Sequence, residues 1–556
     1  MEKKDKKHIK LLLILTAIFV IGLFVWTRHK YKLAEKKIPE VVAKKSNGLY
    51  KIDYDDINID EVGGNLHVKN IRLSVDSVVY NELKAKGKAP PVILNLLIPL
   101  LQITGIKTPK ALLNKEIEGK KILIDSPSIE IWLRQFMQDT TGYSPDKDIY
   151  SQILGQFKNI KIDSLIVTRG SLSVRNQSGK LSFRGDNVSL ILSDLLMDSL
   201  HRSDESRILF SKNLDLLCNQ IVLHSKDRKY QFLFDHLEFI SQINRFNIGS
   251  VRIIPQLSEQ EFAESFKYQK DRYHFIFDNV SLRNIKREAL WRKQIEADSL
   301  IIGQSSFRIY RDISRPHDSI SRVGKYPQQL MTDLPLPLHI SIILFPHSFI
   351  EYKEKNGKSD SSGKVQFTNV SASIKNATNM HSEIAVNNIC RLDFRAKFLD
   401  ESPVKARLDM YLRDKKGRFS IEGVLDSMHG VELNKLIEPM ALARIDKGQI
   451  DHLNFHLNGT DSQANGKLLF LYHDLQIALL KKTDEKQLKK KGLPSLAANI
   501  MIKNSNPPDV SGSGKHHSND PARWANVHYD RDIHRSLFHL IWKSIFTGVK
   551  QTVGMK

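Results

Sequence analysis

Cysteine is nearly absent from this sequence: Cys218 and Cys390 are the only two in 556 residues. They lie far apart in strand-like contexts and read as two free buried thiols in preference to one disulfide, so cysteine says nothing about compartment. Acidic residues are also short, with 62 Asp and Glu against 84 Lys and Arg, a formal net charge of +22. The excess is spread along the chain with no nucleic-acid motif beside it. It reads first as a solvated basic surface, then as a surface for anionic lipid head groups, and nucleic acid is not an expected partner. Hydrophobic residues at 41% and charged residues at 26% exclude wholesale disorder and a multi-span membrane protein.

Catalytic arrangements are missing too. Residues 511–515 (SGSGK) resemble a phosphate loop, but Asp509 stands where its opening glycine belongs and His516 replaces the magnesium-binding hydroxyl. His452 and His456 have zinc-helix spacing, yet they sit in a strand pattern, 450–457, with no glutamate in the metalloprotease position. No cofactor, metal site or enzyme is expected.

Long apolar runs are scarce, and the exception is at the start. Leu11 to Trp26 is unbroken and of low polarity, and with Ile9, Lys10 and Thr27 it reaches membrane-spanning length. It ends in Leu-Phe-Val-Trp-Thr-Arg, without the small residues of a cleavage site, which predicts an uncleaved signal anchor. Five Lys precede the span and five Lys or Arg follow it, so charge alone leaves its orientation open. The expected layout is a tail (1–8), a transmembrane anchor (9–27), a juxtamembrane linker (28–60), a β-rich domain (61–502), a flexible linker (503–533) and an amphipathic helix (534–556).

Between about Glu61 and Ile502 the dominant signal is period-two alternation, the mark of strands with one buried face. One template recurs: apolar residues at i, i+2, i+5 and i+7, with Asp at i+3. Its strict copies place Asp at 76, 163, 235, 278 and 298, and a looser copy runs from Val365 to Ala372. Requiring the Asp leaves about one match expected by chance. The odd step from i+2 to i+5 implies one inserted residue, either a β-bulge that keeps both apolar pairs on one face or a tight turn. Helices are few: an apolar hairpin at Pro90–Leu113 broken at Pro99 and Gly105, a capped helix from Ser144 to about Phe157, and segments at Leu257–Lys267 and Val431–Leu442. A final amphipathic helix spans His534–Val549.

Two stretches resemble a known family. Residues 66–77 (LHVKNIRLSVDS) and 121–131 (KILIDSPSIEI) follow the anchor. Residues 437–455 (IEPMALARIDKGQIDHLNF), 464–468 (ANGKL) and 472–477 (YHDLQI) combine a proline-bearing helix, an Ile-x-x-Gly-x-Ile turn and a Tyr-x-Asp-Leu strand. Together these resemble AsmA-like bacterial envelope proteins. The resemblance implies a single-pass inner-membrane protein with its bulk in the periplasm, and a mainly β fold. That fold would be an elongated, curled antiparallel sheet whose apolar groove shields phospholipid acyl chains in transit between membranes. Groove candidates on this reading are Phe232, Phe234, Phe275, Phe277, Val365 and Phe367. Membrane-interface candidates on the last helix are Leu537, Ile541, Trp542 and Ile545. The alternative is a structural or assembly factor that contacts outer-membrane or other envelope proteins through its sheet edges.

Overall fold

The computed structural model describes residues 39–107, 116–133, 158–482, 488–490, 502–507 and 521–555, apart from single positions within them. The expected anchor and the helix from Ser144 lie outside the described residues. Among the described residues no helix is long and apolar enough to cross a membrane. The chain is mainly β and divides into two compact units: residues up to Val251 with Asn284–Lys293, and Arg252–Arg283 with Gln294–Lys556.

The first unit contains β1 (Tyr50–Asp53), β2 (Asp56–Asp60), β3 (Asn65–Val75), helix α1 (Ser77–Ala85), β4 (Val92–Thr104), β5 (Glu116–Asp125) and β6 (Ser128–Leu133). It continues through β7 (Asn159–Arg175), β8 (Leu181–Asp198), β9 (Ser211–His224) and β10 (Tyr230–Ile240), and the chain leaves it within β11 (Arg245–Pro255). β1 and β2 both pair with β3, β3 with β4, and β4 with β5 and β6, all antiparallel. β5 and β6 then lie parallel to β7, and β7 to β10 form an antiparallel meander.

The second unit holds helix α2 (Glu259–Glu264), β12 (Asp271–Arg283), β13 (Ile295–Asp312), helix α3 (Pro327–Thr332), β14 (Leu338–Lys355), β15 (Gly363–Thr378) and helix α4 (His381–Val386). Then come β16 (Ile389–Phe398), β17 (Ser402–Tyr411), β18 (Phe419–Leu425), β19 (Met428–His429), helix α5 (Asn434–Ala441), β20 (Ala443–Gly459), β21 (Gln463–Lys482), β22 (Leu488–Lys490), β23 (Trp524–Asp530) and helix α6 (Leu537–Val553). Neighbours pair in antiparallel fashion except β13 and β14, which are parallel. β20 receives β18 and β19, and β21 joins β20 to β23. The sheet is therefore mixed, where antiparallel pairing throughout was expected. A parallel pair needs a long crossover, and residues 313–337 supply it for β13 and β14.

Three further expectations are corrected. Pro90–Leu113 is not a helical hairpin, because Val92–Thr104 is strand β4 with Ile93, Leu94, Leu96, Ile98 and Ile103 buried. A ten-residue apolar run has no period by which to tell a buried strand from a buried helix. Pro99, which has no N–H to give a ladder, lies opposite left-handed Asn70, between the pairs Lys69–Leu100 and Ile71–Ile98. The segment 28–60 is not all linker, since β1 and β2 lie in it. Nor is 503–533, where β23 pairs with β21 and buried Asn506 donates to the Phe470 carbonyl at 2.6 Å.

The recurrent odd step is explained by left-handed residues inside strands. His236 and Asn279, each following a template Asp, have φ of 54° and 55°, and Asn369 in the looser copy has 50°. Asn, Asp and His are the non-glycine residues that enter this region at least cost. Such a residue reverses the alternation once, so apolar positions three apart share a face: in β3, buried Leu66 and Val68 are followed across Asn70 by buried Ile71 and Leu73. Two other copies lie along a crease whose left-handed residue is on another strand. Asp163 faces Asp194, between the pairs Ile162–Leu195 and Ser164–Ser193. Asp298 faces Ser341, which in turn faces left-handed Asn376. Asp76 alone marks a turn, capping α1 by accepting from the Val78 and Val79 N–H groups.

Each unit has its own core. In the first, Ile103, Ile117, Ile122 and Ile162 are about completely buried among the apolar faces of β1 to β9. In the second, Leu457, Leu468 and Leu540 are at 0% exposure where α6 lies on β21 and β23.

Candidate apolar binding face

Register in the second unit aligns apolar side chains across successive strands. Phe275 on β12 faces Phe307 on β13, Phe307 faces Ile350 on β14, Ile350 faces Phe367 on β15, and Phe367 faces Phe398 on β16. Residues directly opposite in a sheet project to the same side, so these five form one transverse row. Ring centroids are 5.4 Å apart for Phe275–Phe307, 5.3 Å for Phe277–Phe307, 6.1 Å for Phe307–Phe345 and 5.5 Å for Phe367–Phe398. All four contacts are edge-on or tilted, geometries that favour aromatic pairs.

Burial changes along the row. Phe398 is 7% exposed and belongs to the core beneath α6, whereas Phe275, Phe277, Phe307, Phe345 and Phe367 are only half-buried. One polar contact interrupts the face, a hydrogen bond between the buried hydroxyls of Ser305 and Ser348. The reverse face is charged: Arg272, His274, Arg308, Glu351 and Lys353 alternate with the ladder residues, Lys353 pairs with Glu259 at 2.9 Å, and Arg308 stacks on Phe349. Burial, with Arg308 and Arg272 close by, holds the His274 imidazole below its ordinary range. The charged ladder continues with Arg391–Asp409 at 2.7 Å and Arg407–Asp393 at 2.9 Å.

Of the six expected groove residues, Phe275, Phe277 and Phe367 lie on this half-buried face. Val365 shares it but is buried at 9%. Phe232 and Phe234 belong to the first unit, where they face Leu223 and Ile221 on β9, and both are half-buried. Phe307 and Phe345 escaped the sequence reading, since neither lies in a template copy and only pairing reveals their place.

The membrane-interface candidates fare differently. Leu537 and Ile541 are buried at 6% and 9%, Ile545 packs at the edge of the same core, and Trp542 is half-buried. The side of α6 carrying Leu537 and Ile541 is thus occupied by the protein's own strands and is not a membrane face. Contact is close because a Cβ on Gly548 would lie 2.9 Å from both Leu468 Cδ1 and Val527 Cγ2. Tyr472 ties the helix end down through Lys503: the Tyr472 hydroxyl donates to the Lys503 carbonyl at 2.9 Å, and the Lys503 N–H donates to the Val553 carbonyl at 3.0 Å.

Cys218 and Cys390 are free and buried, and burial pushes the Cys390 thiol up to about 11, away from the thiolate. His452 and His456 lie on β20, where four extended residues span about 13 Å, too far for one ion. Among the described residues no group of His, Cys, Asp or Glu is placed to hold a metal. Neither protein-family models nor curated proteins yield a match to this chain.

Proposed function

We propose that this is a non-enzymatic, AsmA-like envelope protein, anchored in the inner membrane through residues 9–27, that binds phospholipid acyl chains on its apolar sheet faces. The observation carrying the reading is the aromatic row from Phe275 to Phe367, which is incompletely buried on one face of strands whose other face is charged, with Phe367 at the edge of the core. A sheet face meant only for a protein core would be closed over, as the same row is at Phe398. Incompletely buried rings retain a hydration cost that an acyl chain removes, at about 0.8 kcal/mol per methylene buried. On this view each unit supplies its own apolar surface, with head groups kept near basic side chains at its margins.

The test is native mass spectrometry of detergent-extracted full-length protein. Co-purifying phospholipid is expected, and its occupancy should fall in the Phe275→Asp/Phe307→Asp variant. Lipid-free protein, or occupancy unchanged in the variant, counts against the proposal. One observation favours a scaffold instead: among the described residues β23 pairs only with β21, leaving an edge for an added strand. In-cell crosslinking from Asn526 on β23 would capture protein partners in that case.

A further inference from the structure

In the second unit, two segments outside the strands are braced against each other. The Arg322 N–H donates to the Ile533 carbonyl at 2.7 Å, and the Arg322 guanidinium donates to the carbonyls of His534 at 2.7 Å and Ile320 at 3.2 Å. Arg322 also pairs with the buried carboxylate of Asp318 at 3.1 Å. From the other side, Arg531 donates to the carbonyls of Arg322 at 2.8 Å and Arg535 at 2.9 Å. It is itself fixed by Asp461 at 3.0 Å and by the Tyr326 ring, 4.3 Å beneath its guanidinium.

From this scaffold Ile320, Val323 and Ile533 project with 59%, 46% and 46% of their surface in water. Arg322, two residues after Ile320 and next to Val323, carries the backbone bond to Ile533, which brings the three exposed aliphatic residues to one end of the braced segments. Arg531 is buried on Asp461, but of the charged side chains around it that reach water, Lys270, Arg315, Arg322 and Lys325 outnumber the carboxylates Asp333 and Asp532. Aliphatic side chains that insert and cations that stay at the surface match the layering of an anionic bilayer interface, apolar below and phosphate above.

We infer that the tip formed by Ile320, Val323 and Ile533 docks on the head-group region of an anionic phospholipid membrane. The surface is separate from the aromatic face, and its occupant is the bilayer itself.

The test uses full-length protein in nanodiscs of neutral lipid, with an environment-sensitive fluorophore on Ile320→Cys, Ile533→Cys or, as reference, exposed Ser371→Cys. Both native thiols are buried, so labelling goes to the added cysteine. Vesicles carrying nitroxide lipids are then added, either all phosphatidylcholine or containing phosphatidylglycerol. The inference expects strong quenching at 320 and 533 with anionic vesicles, weak quenching with neutral ones, and none above background at 371. Val323→Asp/Ile533→Asp should abolish quenching of the label at 320 and leave the melting temperature unchanged. Quenching no greater at 320 and 533 than at 371 overturns it, as does a photocrosslinker at 320 that captures protein and no lipid. Because acyl-chain binding is read separately, as co-purifying lipid, failure here leaves that reading standing.

Discussion

His539 shows how one side chain couples the last helix to pH. Burial first, then Arg535 and Lys543, pushes its pKa down to about 4, and its Nδ1 is buried without a hydrogen bond. The folded protein therefore prefers neutral imidazole, while the unfolded chain takes up a proton near 6.5. Stability should be complete above pH 6.5, fall as pH drops from there to about 4, and level off below, a loss of about 2 kcal/mol for a half-buried group. His539→Gln should flatten the melting temperature over that window, measured by calorimetry. Asn279 sets a second residue-scale expectation: Asn279→Val should cost about 1–2 kcal/mol and Asn279→Gly little, since a β-branched residue is penalised at positive φ. Equal melting temperatures for the two variants would contradict this. Sequence did mark such positions, because Asp-His and Asp-Asn interrupt an alternation that otherwise runs on. It could not tell which strand of a pair carries the left-handed residue, as Asp163 and Asp298 show, because that depends on pairing.

At the scale of elements, α6 is the plainest case of a correct element with an undetermined neighbour. Apolar residues at helical spacing define the stripe, and the same stripe serves a bilayer or a sheet. What decides is Gly548, whose missing side chain lets the helix approach Leu468 and Val527, and β23, which the proline- and glycine-rich residues before it concealed. Ile541→Asp, placing a carboxylate at a site only 9% exposed, should cost at least about 3 kcal/mol, whereas Phe546→Ala at 43% exposure should fall within about 1 kcal/mol. Chemical denaturation checks both, and a neutral Ile541→Asp would displace α6 from the core. β4 carries the converse lesson: its apolar run was visible, but its conformation rests on strands on both sides of it, contributed from elsewhere in the chain.

For the whole molecule, one-sided strands and a mainly β fold were legible because alternation is local. The division into two units was not, since no composition shift or linker marks it and Asn284–Lys293 returns to the first unit after β12 has joined the second. The parallel β13–β14 pair was equally hidden, because its crossover, 313–337, has no long helical period to announce it. Two separate cores predict two unfolding transitions in denaturant. Ile122→Ala should shift one and Leu457→Ala the other, each by about 2–4 kcal/mol. A single transition moved by both substitutions would show that the cores melt as one.

The crease of left-handed residues also constrains how such a chain can change over time. A strand that carries a left-handed residue, as β3, β10, β12 and β15 do, is written in two phases: apolar residues at even offsets before it, and at odd offsets after it. A strand copied into the sheet without its Asn, Asp or His would keep half of its apolar side chains on the correct side and send the other half to the charged one. Growth or shrinkage of the array is therefore expected in whole strands that bring their phase change with them, at a position matched to their neighbours. The Asp before His236 and before Asn279 is the visible trace of that rule, a punctuation mark set where the line changes phase.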